Sequence, residues 1–239
     1  MKKILVRGAQ LATVDEGQGP PVLLVHAFPL NHSMWDAQAA ALASRWRVIV
    51  PDLRGFGQSQ VSEGTVTMEQ FADDLAGLLD ELGVGEPIVF CGLSMGGYIG
   101  WEFYRKYSSR VRAMILCDTR AVADTPEIRA ARQDMIERVL REGPEPIAQA
   151  VIPKLLAGST VASRREVAAG VHRMIVSNDP QGIAAALRGM RQRPDATDLL
   201  PQIRCPSLLL VGKFDAISTL EEMRSIAGKI PGAKLVTIA

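Results

Sequence analysis

The segment that most limits how this chain can fold runs from Ile88 to Tyr98, Ile-Val-Phe-Cys-Gly-Leu-Ser-Met-Gly-Gly-Tyr. An apolar run of strand character stops at a glycine. An aromatic, amphipathic stretch from Tyr98 to Tyr107 follows almost at once. A chain that passes from strand to helix in so few residues forces its middle residue, Ser94, into a strained backbone conformation. Gly92 and Gly96 flank Ser94 because a Cβ at either place would clash across the turn. A strand that turns directly into a helix is the building unit of an α/β sheet.

The rest of the chain supplies more such units. Val22–Val25, Val48–Val50, Val111–Cys117, Leu208–Val211 and Leu235–Ile238 are short continuous apolar runs. Runs of this kind suit parallel strands covered on both faces. Ile4–Val6 and Leu11–Val14 read as an antiparallel pair at the leading edge. Helical patterns lie between the runs. Met34–Ser44 is rich in Ala, and Thr67–Leu82 places Met68, Phe71, Leu75, Leu78, Leu79 and Leu82 at helical spacing behind Thr67 as N-cap. Thr219–Gly228 reads as a further short helix. The alternation implies right-handed crossovers in a mostly parallel sheet flanked by helices.

Residues from about Arg120 to Gln202 differ, being rich in Ala, Arg and Glu with no strand. Glu127–Arg141, Pro146–Ala157, Ser163–Val176 and Pro180–Arg191 read as helices. The expected division is a core of residues 1–119 and 203–239 with a helical insertion over 120–202. No long Gly/Ser- or Pro-rich linker separates the two parts.

Composition narrows the function classes. Lys plus Arg number 27 against 26 Asp plus Glu, a net charge of +1. That balance leaves no electrostatic footprint for nucleic acid or an anionic membrane. No apolar run approaches the roughly 18 residues that span a bilayer. Cys91, Cys117 and Cys205 are widely spaced and read as buried reduced thiols, which fits a cytoplasmic location. No HExxH or clustered ligand pattern points to a metal, and no G-x-G-x-x-G follows the early strand, so no cofactor is expected.

Placed at a strand-to-helix junction, Gly92-x-Ser94-x-Gly96 suits a nucleophilic serine, with the helix N-terminus directing N–H groups and partial positive charge at the same spot. Three more segments agree. They are His26-Ala27-Phe28-Pro29 after the third strand, Pro51-Asp52-Leu53-Arg54-Gly55-Phe56-Gly57-Gln58-Ser59 after the fourth, and Val211-Gly212-Lys213-Phe214-Asp215 after the seventh. With these motifs the chain resembles the α/β-hydrolase family over essentially its whole length. The resemblance implies that the helical insertion is the family's cap over the pocket.

The resemblance also implies roles. Ser94 is the expected nucleophile. The backbone N–H groups of Met95 and Phe28 are the expected oxyanion donors, with Ala27 standing where Gly is more usual. Asp215 is the expected triad acid, and Asp118, after the sixth strand, is the alternative, its other reading being a cap of the following turn. His26 is expected to support its loop rather than act as base. His32 is expected at a helix start, on the surface or facing the cap, and His172 as an ordinary helix residue. Asp52 and Arg54 are expected to hold their loop, and Trp35 and Trp101 to pack.

The family order is Ser, acid, His, with the His just after the eighth strand. No histidine follows Asp215 in the 239 residues, and the family's C-terminal helix is missing too. Three readings stand. The chain continues past Ala239, an unusual base such as His26 or His172 serves, or the protein is a small-molecule binder that has lost catalysis. The first is the expectation adopted.

Ser94 in place of Asp disfavours dehalogenase and epoxide-hydrolase chemistry and points to acyl transfer. The segment Met190-Arg191-Gln192-Arg193-Pro194-Asp195 is similar to esterase and 3-oxoadipate enol-lactonase relatives. A small carboxylic ester or lactone is the expected substrate. Perhydrolysis and carbon–carbon bond hydrolysis use the same kind of site and stay open. Arg188, Arg191 and Arg193 are either partners of a substrate carboxylate or, the favoured reading, a solvated helix face. Oligomeric state is not legible in the sequence.

Overall fold

The computed structural model describes all residues, Met1–Ala239. Eight strands form one sheet in the order β1-β2-β4-β3-β5-β6-β7-β8. The strands are β1 (Lys2–Val6), β2 (Ala9–Glu16), β3 (Pro21–Val25), β4 (Arg47–Pro51), β5 (Ile88–Leu93), β6 (Val111–Cys117), β7 (Ser207–Gly212) and β8 (Lys234–Ile238). β1 and β2 pair antiparallel, with Ile4 opposite Leu11, and β2 pairs antiparallel with β4. All remaining pairs are parallel.

The apolar runs of the central strands are continuous because both faces are covered. On β3, Leu23 and Val25 join the large core under α2 (Met68–Glu81) and α3 (Met95–Tyr107). Val22 and Leu24 point the other way, to Trp35 and Ala39. Ala39 lies on α1 (Asp36–Leu42), which follows a short 3-10 helix, His32–Trp35. Thr67 caps α2 as its position implies, its side chain accepting from the Gln70 N–H. α9 (Leu220–Lys229) starts at Thr219 with a full capping box to Glu222.

Five helices lie between β6 and β7: α4 (Pro126–Glu142), α5 (Glu145–Leu155), α6 (Gly158–Ser163), α7 (Arg165–Val176) and α8 (Pro180–Gln192). α8 belongs to the main core through Ile183, Leu187 and Met190. Its glycines allow backbone to touch backbone. A Cβ on Gly182 would lie 1.9 Å from the Gly55 carbonyl oxygen, and one on Gly189 1.9 Å from that of Val66. α5 and α7 instead make a small separate cluster, in which Ala148, Val171 and Ile175 meet Ala27 and Leu30. No helix is long and apolar enough to cross a membrane.

Some boundaries differ from the sequence reading. The helix expected over Ser163–Val176 is α7, which starts at Arg165, and α6 before it has no counterpart in the sequence reading; Arg164 (φ −127°, ψ 65°) separates the two. The helix expected from Met34 begins as a 3-10 turn at His32, where Asn31 accepts from the Ser33 N–H. The helix expected from Tyr98 starts at Met95. Its first turn is hidden in the sequence because Gly96 and Gly97 are poor helix formers, present for close packing rather than propensity.

Candidate active site

The loops after β3, β5, β6 and β7 gather at the carboxyl ends of neighbouring parallel strands, the edge of an open α/β sheet where ligands bind. At the centre is the β5–α3 turn. Ser94 has φ 53° and ψ −107°, a region that costs a non-glycine residue of the order of 1–3 kcal/mol. The surrounding contacts hold it there. Its N–H donates to the Cys117 carbonyl at 2.9 Å, and its own carbonyl accepts from Gly97 N at 2.9 Å and Tyr98 N at 3.2 Å. The Thr119 hydroxyl donates to the same carbonyl at 2.9 Å.

The glycines around Ser94 are sites of close approach. A Cβ on Gly92 would meet the Gly96 carbonyl at 2.4 Å, and one on Gly96 would meet the Val25 carbonyl at 2.4 Å. The second contact brings the end of β3, and hence His26–Phe28, against the Ser94 turn. Met95 opens α3, so its N–H is among the first four of the helix, which have no helical carbonyl to bond.

The loop after β3 is held from beneath. His26 is fully buried, its Nδ1 donating to the Ala27 carbonyl at 2.9 Å while its Nε2 accepts from Leu53 N at 3.0 Å. Burial drives its pKa down to about 4, so the ring is neutral at pH 7 and both nitrogens are engaged. Phe28 is half-buried and meets Phe56 edge-on, with ring centroids 6.2 Å apart. His32 lies at a helix start, as the sequence implies, but its ring turns neither to the surface nor to the insertion: it pairs with buried Asp52 at 2.7 Å. That bond raises the His32 pKa. Burial alone would raise the Asp52 carboxyl, but His32 and the Gln58 and His32 N–H groups outweigh it and hold it below the ordinary range.

The two acids stand side by side. Asp118, at φ 41°, accepts the Gly212 N–H at 2.9 Å, so it caps the end of β7 rather than its own turn. A Cβ on Gly212 would lie 3.9 Å from Asp118 Oδ1 and 3.8 Å from the Asp215 Cβ. Burial pushes the Asp118 carboxyl up to about 6, and the adjacent Asp215 carboxylate adds to the rise while the Gly212 N–H opposes it. Asp215 Oδ1 accepts from Ile217 N at 2.6 Å and Ser218 N at 2.8 Å, which shapes the turn before α9.

The remaining candidates lie elsewhere. His172 is on α7 and meets Glu145 of α5 at 3.0 Å. Arg54 reaches beyond its loop to Asp74 on α2, with two bonds of 2.7 Å. Arg193 is not on a solvated face. It is buried, donates to Asp124 at 2.9 Å and covers the Tyr98 ring at 4.2 Å. Arg188 donates to the Gly64 carbonyl at 2.7 Å, and Arg191 to Gln133. Trp101 is buried and donates to the Arg120 carbonyl at 2.9 Å, and Trp35 is buried under α1. Two residues had no signal in the sequence. Thr119 holds the Ser94 carbonyl, and Asn178 joins the insertion to the β3 loop.

A family model described as alpha/beta hydrolase fold matches residues 20–239, and the chain belongs to that family. Among solved structures, a thermophilic esterase from Thermogutta terrifontis, malate bound, is 52% identical with a TM-score of 0.96, covering 99% of this chain and 89% of that one. The enol-lactonase from Burkholderia xenovorans LB400 is 30% identical with a TM-score of 0.93, covering 99% and 91%. 3-Oxoadipate enol-lactonase 2 of Acinetobacter baylyi is 25% identical over 88% of this chain and 77% of its own length.

Proposed function

We propose that this protein is a serine hydrolase of small carboxylic esters or lactones, acting through an acyl-enzyme on Ser94. The observation that carries the reading is the strained Ser94 turn, held open at the strand ends by glycine contacts to β3 and α3. Similarity to an esterase and to enol-lactonases supports the same substrate class.

The Ser94 Oγ attacks the substrate carbonyl carbon and loses its proton to a base. The carbonyl oxygen becomes an oxyanion between the N–H groups of Met95 and Phe28. Collapse expels the alcohol, which takes up the proton; in a lactone the alcohol stays tethered to the acyl chain. Water then attacks the acyl-enzyme and releases the acid. Asp215 orients and stabilises the protonated base. Asp118, tied to the Gly212 N–H and partly protonated near pH 6, is less suited to that task. Among the histidines here, His26 has both nitrogens bonded, His32 faces Asp52 and His172 faces Glu145, so none of them is assigned the base. The helices between β6 and β7 form the cap that roofs the pocket.

The test is labelling with a fluorophosphonate. One adduct on Ser94, absent from Ser94→Ala, is the expected mass spectrum. A folded protein that takes up no adduct refutes the reading.

A further inference from the structure

Asn178 lies just past the end of α7 and is buried. Its side chain reaches out of the insertion to two separate loops of the core. Its Nδ2 donates to the Pro29 carbonyl at 2.8 Å and to the Met174 carbonyl at 3.0 Å. Its Oδ1 accepts the Gly57 N–H at 2.7 Å. Only one orientation of the amide serves, since the two carbonyls need a donor and the N–H needs an acceptor. Pro29 directly follows Phe28. Gly57 belongs to the loop organised by Asp52, where the Gln58 N–H donates to Asp52 Oδ2 at 2.8 Å. Asp52 in turn holds the His32 N–H at 2.8 Å, three residues beyond Pro29.

We infer that Asn178 is a positioning residue for the reaction: seated from the insertion, its amide fixes the Pro29–Leu30 peptide, whose Leu30 N–H donates to the Ala27 carbonyl at 2.9 Å, and so sets the direction of the Phe28 N–H in the Ala27–Phe28 peptide. The inference rests on the serine-hydrolase reading above and adds to it a link between insertion and oxyanion loop. Asn178 touches no substrate. It acts through the backbone, and an N–H donor is effective only when it is placed about 2.7–3.1 Å from the developing oxyanion. The Asn178 bond to Pro29 ties the loop to the insertion, while the His26 bonds to Ala27 and Leu53 hold it from the core.

The discriminating variant is Asn178→Asp, which keeps the acceptor for Gly57 and removes both donors. Its neighbour Asp179 is the control. Asp179 caps α8 by accepting the Gln181 N–H at 2.7 Å and has no bond to the β3 loop, so Asp179→Ala loosens the same corner without touching the oxyanion loop. The expected result is that Asn178→Asp slows fluorophosphonate labelling and lowers kcat on a short-chain p-nitrophenyl ester by about tenfold to a hundredfold, with KM little changed. Asp179→Ala should label at the original rate at a matched melting temperature. If Asn178→Asp does not fold, Asn178→Ser serves the same comparison. Equal rates in the Asn178 and Asp179 variants, or a change confined to KM, overturn the inference. If the unaltered protein itself takes no label, the serine-hydrolase reading fails first, and Asn178 is only a structural tether.

Discussion

The turns that carry Ser94 and Asp215 end neighbouring regions of one sheet, yet they are built by opposite means. The Ser94 turn is enclosed. Backbone from β3, β6 and α3 lies against it, and glycines stand where a methyl group would collide with a carbonyl. The Asp215 turn is open. Lys213, Phe214, Ala216 and Ile217 around it are exposed, and its shape depends on one carboxylate oxygen gathering two N–H groups. Strain needs many contacts to sustain it, so the strained residue sits in the enclosed turn. The Asp215 turn holds no residue at positive φ, so fewer contacts are enough to shape it.

The largest contrast to test is chemical. Ser94→Ala should lower ester hydrolysis by on the order of 10⁴- to 10⁶-fold while leaving the fold intact. Asp215→Asn should cost about 10³- to 10⁴-fold, and Asp118→Asn much less, measured as kcat/KM on the same ester. A larger loss at Asp118 would reverse the assignment of the acid.

Stability should split the two turns next. Gly96→Ala drives a methyl group towards the Val25 carbonyl and should destabilise by about 2–3 kcal/mol in urea unfolding. Ser94→Gly should do the reverse, gaining about 1 kcal/mol as the positive φ is relieved.

The pH dependence gives a smaller effect. The Asp118 carboxyl has its folded pKa raised to about 6 from an ordinary 3.8. Folding therefore takes up a proton between about pH 4 and 6. The cost of holding the charge is absent below that window and fully present above it, so stability rises as pH falls through it. With Asp118 half-exposed, the effect is on the order of 1 kcal/mol, and Asp118→Asn should flatten that slope in urea melts between pH 4 and 6.5. Smallest of all, Phe214→Ser in the open turn should change stability by less than about 0.5 kcal/mol, since the ring is 71% exposed.

The sheet was readable from the chain because its strands are apolar on both faces. Val22 and Leu24 serve one core, Leu23 and Val25 the other, so the run carries no polar interruption. The Ser94 turn was readable for a related reason: close backbone packing admits only glycine, and glycine is a letter in the sequence. The helices of the insertion were less legible. Gly158–Ser163 is mostly Gly, Ser, Thr and Val, weak helix formers, yet it forms α6 against α7. Arg193 looked like a surface charge and is buried, because Asp124, far away in sequence, lies opposite it.

The chain alone marked the strands, most of the helices and the place of the strained serine. Those follow from apolar periodicity and from glycine, which act locally. The partners of the polar groups come from the fold: Asp52 for His32, Gly212 for Asp118, Thr119 for the Ser94 carbonyl, and Pro29 and Gly57 for Asn178. A buried polar group must be satisfied, but its partner comes from wherever the fold brings a complementary atom within about 3 Å, and no local pattern along the chain records that meeting.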